Sequence, residues 1–391
     1  MQRKSVDRQA SPLTARERIL AALHQLPVDR IPFVPLIDYY TVRDMPPEIP
    51  QDDLIAASRL LRCDLMIRHV PVTPVDRATI HQQAWHVQHL GRFGAPISAT
   101  SELRGAEYVE TLSTPIGTLT GVWGFTDRVG WIPHPVQHLV NNYDEMQIFH
   151  YAVDHLSAEL EVTAYDTFLE VDRAIGDDGI ATASLPNTPL MHLIETVWGL
   201  EATYYLLHDY REEVEDILAK LHVSLRRKAE LLAESPAQVV IQYENTSSTL
   251  LSPGVFRRYC LPCINEYAGI LAAAGKVFLV HMCGKLRCFA GDLREGRFTG
   301  LADISPAPTG DLPLDEAAAS LVGKVVMGGI DATTFVNTDR ETVRGEIFDL
   351  IERVRPFRGV LLGSADTTPR GSPVENFWLM RQLVDTVGSY T

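Results

Sequence analysis

Cysteine is scarce in this chain: five residues in 391, an odd number and too few for a disulfide framework. A reducing cytoplasm is therefore the expected setting. No apolar run is long enough to cross a bilayer. The polar opening, Met1 to Pro12, lacks the apolar core of a signal peptide. Runs of lysine or arginine are missing too. With 35 basic against 50 acidic residues the formal charge is -15, which argues against nucleic acid or an anionic membrane as the main partner. No glycine-rich dinucleotide fingerprint follows any strand-like segment, and there is no internal repeat or low-complexity stretch. What is present is a 46% hydrophobic chain with enough apolar residues for a sizeable core.

Residues 1–12 read as a loose tail, and 13–391 as one domain. Thr14, with Glu17 three residues on, is a capping box opening a helix to about Leu26. A short strand, Phe33 to Leu36, follows; a helix over Asp52 to Arg62 leads to a strand ending near His69. Between about 80 and 142 the period changes. Tyr108 to Leu112 and Thr118 to Phe125 flank Pro115-Ile116-Gly117, a hairpin inserted into the main plan. Its Trp123 and Phe125, with Trp131 beyond, either roof an apolar pocket or fill the insertion's own core. Helix and strand then alternate: a long helix over 154–174, a strand Ile180 to Ser184, helices over 190–207 and 211–233, and a strand Val239 to Tyr243. A helix over 253–274 precedes the apolar run Val277 to Val280, and strands near 299–304, 324–329 and 359–362 are spaced by further helices. Eight strand candidates in alternation predict an α/β protein, a closed (β/α)8 TIM barrel carrying an inserted hairpin.

Barrel chemistry gathers where strands end, and three strand exits here carry metal-capable side chains. Residues two apart on a strand share a side, so His281 and Cys283 can converge on one point. Glu244 closes the preceding strand, and Asp366 follows the last one, which neighbours the first in a closed barrel. Nitrogen, sulfur and oxygen donors together suit zinc, with three or four protein ligands. Each residue also has a plainer reading: Glu244 and Asp366 as turn residues, and His281 with Cys283 as a packed core pair. His69, at the second strand's end, is either a proton donor facing the mouth or a hydrogen-bonded structural histidine. Asp303 and Asp331 are helix caps or polar groups of the mouth. Cys260 and Cys263 read as buried helix packing, Cys288 as apolar filler, and His134, His138, His150 and His155 as surface residues.

Several stretches carry a resemblance. Arg16-Glu17-Arg18-Ile19-Leu20-Ala21-Ala22-Leu23 through Asp29-Arg30-Ile31-Pro32, Leu251-Ser252-Pro253, His281-Met282-Cys283-Gly284 and Ser372-Pro373-Val374-Glu375-Asn376 together resemble the uroporphyrinogen decarboxylase superfamily. That resemblance implies a (β/α)8 barrel. The decarboxylases' arginine-rich substrate motif is absent, since the corresponding region reads Leu36-Ile37-Asp38-Tyr39-Tyr40-Thr41-Val42-Arg43. His281 and Cys283 instead resemble the zinc-binding pair of the corrinoid-linked methyltransferases. The thiol-specific members of that branch place a cysteine after the last strand, where this chain has Asp366.

A donor set with one thiolate and two carboxylates (Glu244, His281, Cys283, Asp366) is hard and favours an oxygen ligand. The resemblance then implies O-demethylation. Methyl would pass from a methoxylated aromatic compound, an aryl methyl ether, to the cobalt(I) of a corrinoid (cobalamin) carried by a partner protein. Glu244, Asp366 and His69 are the expected catalytic groups. Tyr39, Tyr40, Trp123, Phe125 and Trp131 are the expected ring-binding walls. The alternatives are a methylcobamide:thiol methyltransferase, a uroporphyrinogen decarboxylase, and a non-catalytic barrel that holds a tetrapyrrole or corrinoid. A homodimer is left open.

Overall fold

The computed structural model describes residues 12–72, 92–124, 134–157 and 165–390. Its strands are β1 (Leu65–Ile67), β2 (Arg92–Phe93), β3 (Ser98–Arg104), β4 (Glu107–Thr114), β5 (Gly117–Gly124), β6 (His134–Gln137) and β7 (Leu156–Ser157). They continue with β8 (Gly179–Ala181), β9 (Ala183–Leu185), β10 (Val239–Tyr243), β11 (Val277–His281), β12 (Gly300–Ile304), β13 (Val325–Ile330) and β14 (Val360–Ser364). β9 to β14 lie side by side in one parallel sheet, and β8 pairs in parallel with β1. The Phe33–Leu36 segment completes the ring. Phe33 bridges Leu362, the Val34 N–H donates to the Leu362 carbonyl at 2.7 Å, and the Asp64 N–H donates to the Phe33 carbonyl at 2.8 Å. With β8 and β9 as two halves of one stave, this is an eight-staved parallel barrel.

Period-two alternation fills its interior. Val34, Met66, Ile180, Ile241, Leu279, Ala302, Met327 and Leu361, one from each stave, form a single buried cluster. Ile19, Ala22 and Leu23 of the opening helix Ala15–Leu23 join it, so that helix stoppers the end where the staves begin. Its Thr14–Glu17 capping box is present as expected. A larger apolar shell lies between the staves and the outer helices. Among the described residues no helix is long and apolar enough to cross a membrane.

Two expectations need correction. In place of one helix over 154–174 there is a helix Tyr143–Asp154, started by Asn142 capping the Glu145 N–H, and another at Asp166–Ile175. The inserted hairpin is the middle of a four-stranded antiparallel meander, β3-β4-β5-β6. Its Leu112 and Leu119 pair across the turn and pack into the main core.

One break in alternation shapes the barrel mouth. Asp303 has φ +64°, and the β12–β13 register shifts between Leu301 and Ile304. Opposite it, Gly328 (φ +124°) comes so close that a Cβ would meet the Ile304 and Asp303 backbone at 2.6–2.9 Å. Glycine there admits the bulge, which turns the Asp303 carboxylate into the barrel.

Candidate functional site

Following the inward period upward from the apolar layer gives Arg68 after Met66, Tyr243 after Ile241 and His281 after Leu279. Arg68, His281 and the re-aimed Asp303 are buried and Tyr243 is half-buried, and together they build a polar floor. Arg68 grips Asp303 with its two terminal guanidinium nitrogens, Nη1 to Oδ2 and Nη2 to Oδ1, the latter at 2.8 Å. Asp303 Oδ2 lies 2.6 Å from His281 Nδ1. Burial would raise the Asp303 pKa, but the charge and hydrogen bonds of Arg68, with those of His281, hold it far below the usual carboxylate range. Burial alone would lower His281; the Asp303 bond and the Cys283 neighbour outweigh it and raise it to about 10. The Nδ1 bond leaves Nε2 of His281 free for another partner.

That partner region is shared. Donor atoms of His281, Cys283 and Asp366 all lie within 4.8 Å of one another. Burial raises the Cys283 thiol pKa while His281 opposes the rise. Asp366 also accepts the Thr367 N–H at 2.7 Å, so it serves its turn and still faces the group. Imidazole nitrogen, thiolate sulfur and carboxylate oxygen at this spacing can hold a divalent ion, and the set is compatible with zinc. The carboxylate on the far ring nitrogen is the support that metal-bound histidines need. Asp303→Asn should therefore weaken zinc by roughly 10–100-fold, measured by competition with a chromophoric chelator; unchanged affinity would show that His281 needs no such support.

The three residues edge a cavity of about 570 Å³ whose walls include Leu36, His69, Glu195, Tyr243, Asn245, Leu250 and Thr309. Lys285 is the one lysine or arginine among its described lining residues. Rings form one side: His69 stacks on Tyr243 at 4.2 Å, and Tyr243 lies 5.1 Å from His281.

The remaining sequence candidates fall elsewhere. Glu244 is fully buried and does not join the group. It accepts the Thr188 N–H at 2.7 Å and lies 2.6 Å from the Thr188 hydroxyl, and burial raises its pKa to about 8 despite those bonds. His69 is hydrogen-bonded to Ser184 at 3.0 Å. Burial and the neighbouring Arg68 charge lower its pKa to about 4, so at neutral pH it is an uncharged imidazole, not a charged proton donor. Tyr39 is exposed on the short helix Tyr39–Val42, and neither it nor Tyr40 lines the cavity. Trp123 is buried on β5, paired with Tyr108 of β4, and is not among the residues that line the cavity. Phe125 and Trp131 lie outside the described residues.

Asp331 caps a helix through the Thr333 N–H. Cys260 is buried, and Cys263 bonds its own helix. His150, expected alone on the surface, meets Asp216 at 2.7 Å, and the Lys220 ammonium bridges it to Asp154 and Asp216. That exposed cluster already has its cation.

Sequence reasoning missed Glu195. It stands in a π-helical turn, Leu193–Val197, an irregularity that often marks function. Burial raises its pKa to about 7, against hydrogen bonds from Asn245 and Asn187. The available signal was a lone acid within Met191-His192-Leu193-Ile194-Glu195-Thr196-Val197-Trp198.

The geometry can be set beside known proteins. A methyltransferase from Methanosarcina mazei superposes with a TM-score of 0.59 at 16% identity, covering 95% of this chain and 98% of that one. This likeness supports the fold. D-psicose 3-epimerase with D-tagatose from Clostridium cellulolyticum H10 reaches a TM-score of 0.30 at 11% identity, covering 56% of this chain and 81% of that one, too remote to argue from. No curated relative matches by sequence. The profile of the family described as uroporphyrinogen decarboxylase (URO-D) matches residues 179–390, from β8 through the last helix, and leaves the opening motif outside. That span is more than half of the chain, and it includes all four residues picked out at strand exits, with the whole of the His281, Cys283 and Asp366 group: the chain belongs to the uroporphyrinogen decarboxylase (URO-D) family.

Proposed function

We propose that this chain is a zinc-dependent methyltransferase that moves methyl from an aryl methyl ether to the cobalt(I) corrinoid of a partner protein. The observation that carries this is the convergence of His281, Cys283 and Asp366 at a cavity floor, with Asp303 already bonded to the far nitrogen of His281. Bound there, zinc would supply Lewis-acid polarisation of the ether oxygen from which the methyl departs. His281, Cys283 and Asp366 would hold it, with Asp303 and Arg68 fixing the imidazole's orientation. A single thiolate in the set favours an oxygen donor over a thiol substrate. The stacked rings of His69 and Tyr243, both lining the cavity, give a planar arene an aromatic side to lie against. A polycarboxylate substrate is poorly served by a cavity that includes Glu195 and Asp366 and has one basic lining side chain; this supports methyl transfer over decarboxylation.

The test is activity of the purified chain on a methoxylated arene with and without a reduced corrinoid protein. Demethylation only in the presence of that partner, abolished by chelation and restored by zinc, is the expected result. Decarboxylation of uroporphyrinogen by the chain alone, indifferent to chelator, would overturn the proposal.

A further inference from the structure

We infer that Glu195 is the specificity residue of this cavity, a hydrogen-bonding carboxyl that recognises a second oxygen substituent on the methyl donor. The inference rests on the aryl-ether reading above and adds to it a residue and a substrate feature. Three observations carry it.

The first is how the side chain is held. Its Oε2 accepts from two amides, Asn187 Nδ2 at 2.8 Å and Asn245 Nδ2 at 3.1 Å. Among the described residues no hydrogen bond reaches Oε1, and Glu195 is part of the cavity wall. A carboxyl clamped by one oxygen presents the other in a fixed direction, which is what recognition of a small polar group requires.

The second is how its backbone is held. The π turn Leu193–Val197 follows directly from the short helix Pro189–His192. The residue before that helix, Thr188, is tied to Glu244 through both its N–H and its hydroxyl. Glu244 and Asn245 are neighbours at the exit of β10. One therefore fixes the start of the segment and the other the carboxyl it delivers. This gives the buried Glu244 a positioning role. Asn187 is itself braced, its Oδ1 lying 3.1 Å from His192 Nδ1.

The third is placement. Glu195 shares its cavity with His281, Cys283 and Asp366, so one small molecule can reach both. The carboxyl serves in either protonation state: ionised it accepts from a hydroxyl, and neutral it donates to an oxygen.

The experiment is calorimetric titration of the zinc-loaded chain with two probes, 2-methoxyphenol and methoxybenzene, which differ by one hydroxyl. Zinc content and thermal melting are recorded for wild type, Glu195→Gln and Glu195→Ala. Wild type should bind 2-methoxyphenol about tenfold more tightly, the scale of one hydrogen bond. Glu195→Ala should erase that preference while keeping zinc and the affinity for methoxybenzene, and the isosteric Glu195→Gln should retain part of it. A preference that survives in Glu195→Ala would overturn the inference, as would loss of zinc from a folded Glu195→Gln, which would make the carboxyl a metal ligand. Equal binding of both ethers by wild type would sink the inference and leave the aryl-ether reading standing. Binding of neither would remove both.

Discussion

Cys283→Ala and His281→Ala are each expected to release zinc from the chain while leaving the barrel folded. Loss of a supporting group around a metal costs roughly 10–100-fold in affinity, so loss of a ligand atom should exceed about a hundredfold. Folding should survive for local reasons. His281 ends β11 above an apolar layer that neither change touches. Without the imidazole, Asp303 keeps its two-nitrogen grip from Arg68 and is not stranded as an unpaired charge. Since a bound ion stabilises only the folded chain, each variant should melt where chelated wild type melts. Cys260→Ala is the control: that thiol sits beside Glu244 and Thr188, and its removal should leave zinc in place. Full zinc occupancy in both Cys283→Ala and His281→Ala would refute the assignment.

The second large effect lies at the other end of the staves. Asp64 is 2% exposed and collects Arg30 Nη1 and Nη2, each at 2.8 Å, Arg18 Nη1 at 3.3 Å and the Phe33 N–H at 2.9 Å. Arg18 belongs to the stoppering helix and Arg30 leads into the Phe33–Leu36 stave, so one carboxylate joins the helix, the first stave and β1. Removing one partner of a buried ionic group leaves the others uncompensated and typically costs about 3–5 kcal/mol. Asp64→Ala should lose about that much in urea denaturation, with zinc affinity unchanged because the metal group is at the opposite end. A loss within about 1 kcal/mol would show that Arg30 finds its counter-charge elsewhere, Asp385 at 3.0 Å being the nearest candidate.

Much of this fold was legible because parallel staves are buried on both faces and so read as apolar runs. Val277 to Val280 and Val360 to Leu362 are plain examples. The His281–Cys283 pairing was legible for an equally simple reason, the two-residue period. Applied to β10, that period also explains the misplacement of Glu244. Tyr243 faces inward beside His281, so its neighbour must face outward, where Glu244 meets Thr188. Proximity to a strand exit was not enough; phase mattered.

Asp303 was legible as a helix cap or a polar group of the mouth, but its bond to His281 was not. Its inward turn depends on a left-handed backbone and on Gly328 across the pairing, neither of which a hydrophobic pattern records. Glu195 depends on an inserted residue in a helix, which shifts phase without changing composition. The opening motif, by contrast, has a visible structural cause: Arg18 pairs Asp29, and Arg30 pairs Asp64.

Zinc K-edge X-ray absorption on the purified chain is the most direct measurement of the central claim. One sulfur at about 2.3 Å with the remaining first-shell atoms nitrogen or oxygen, the sulfur vanishing in Cys283→Ala, is the predicted result. Two sulfurs, none, or an edge too weak for stoichiometric zinc would contradict a centre built from His281, Cys283 and Asp366.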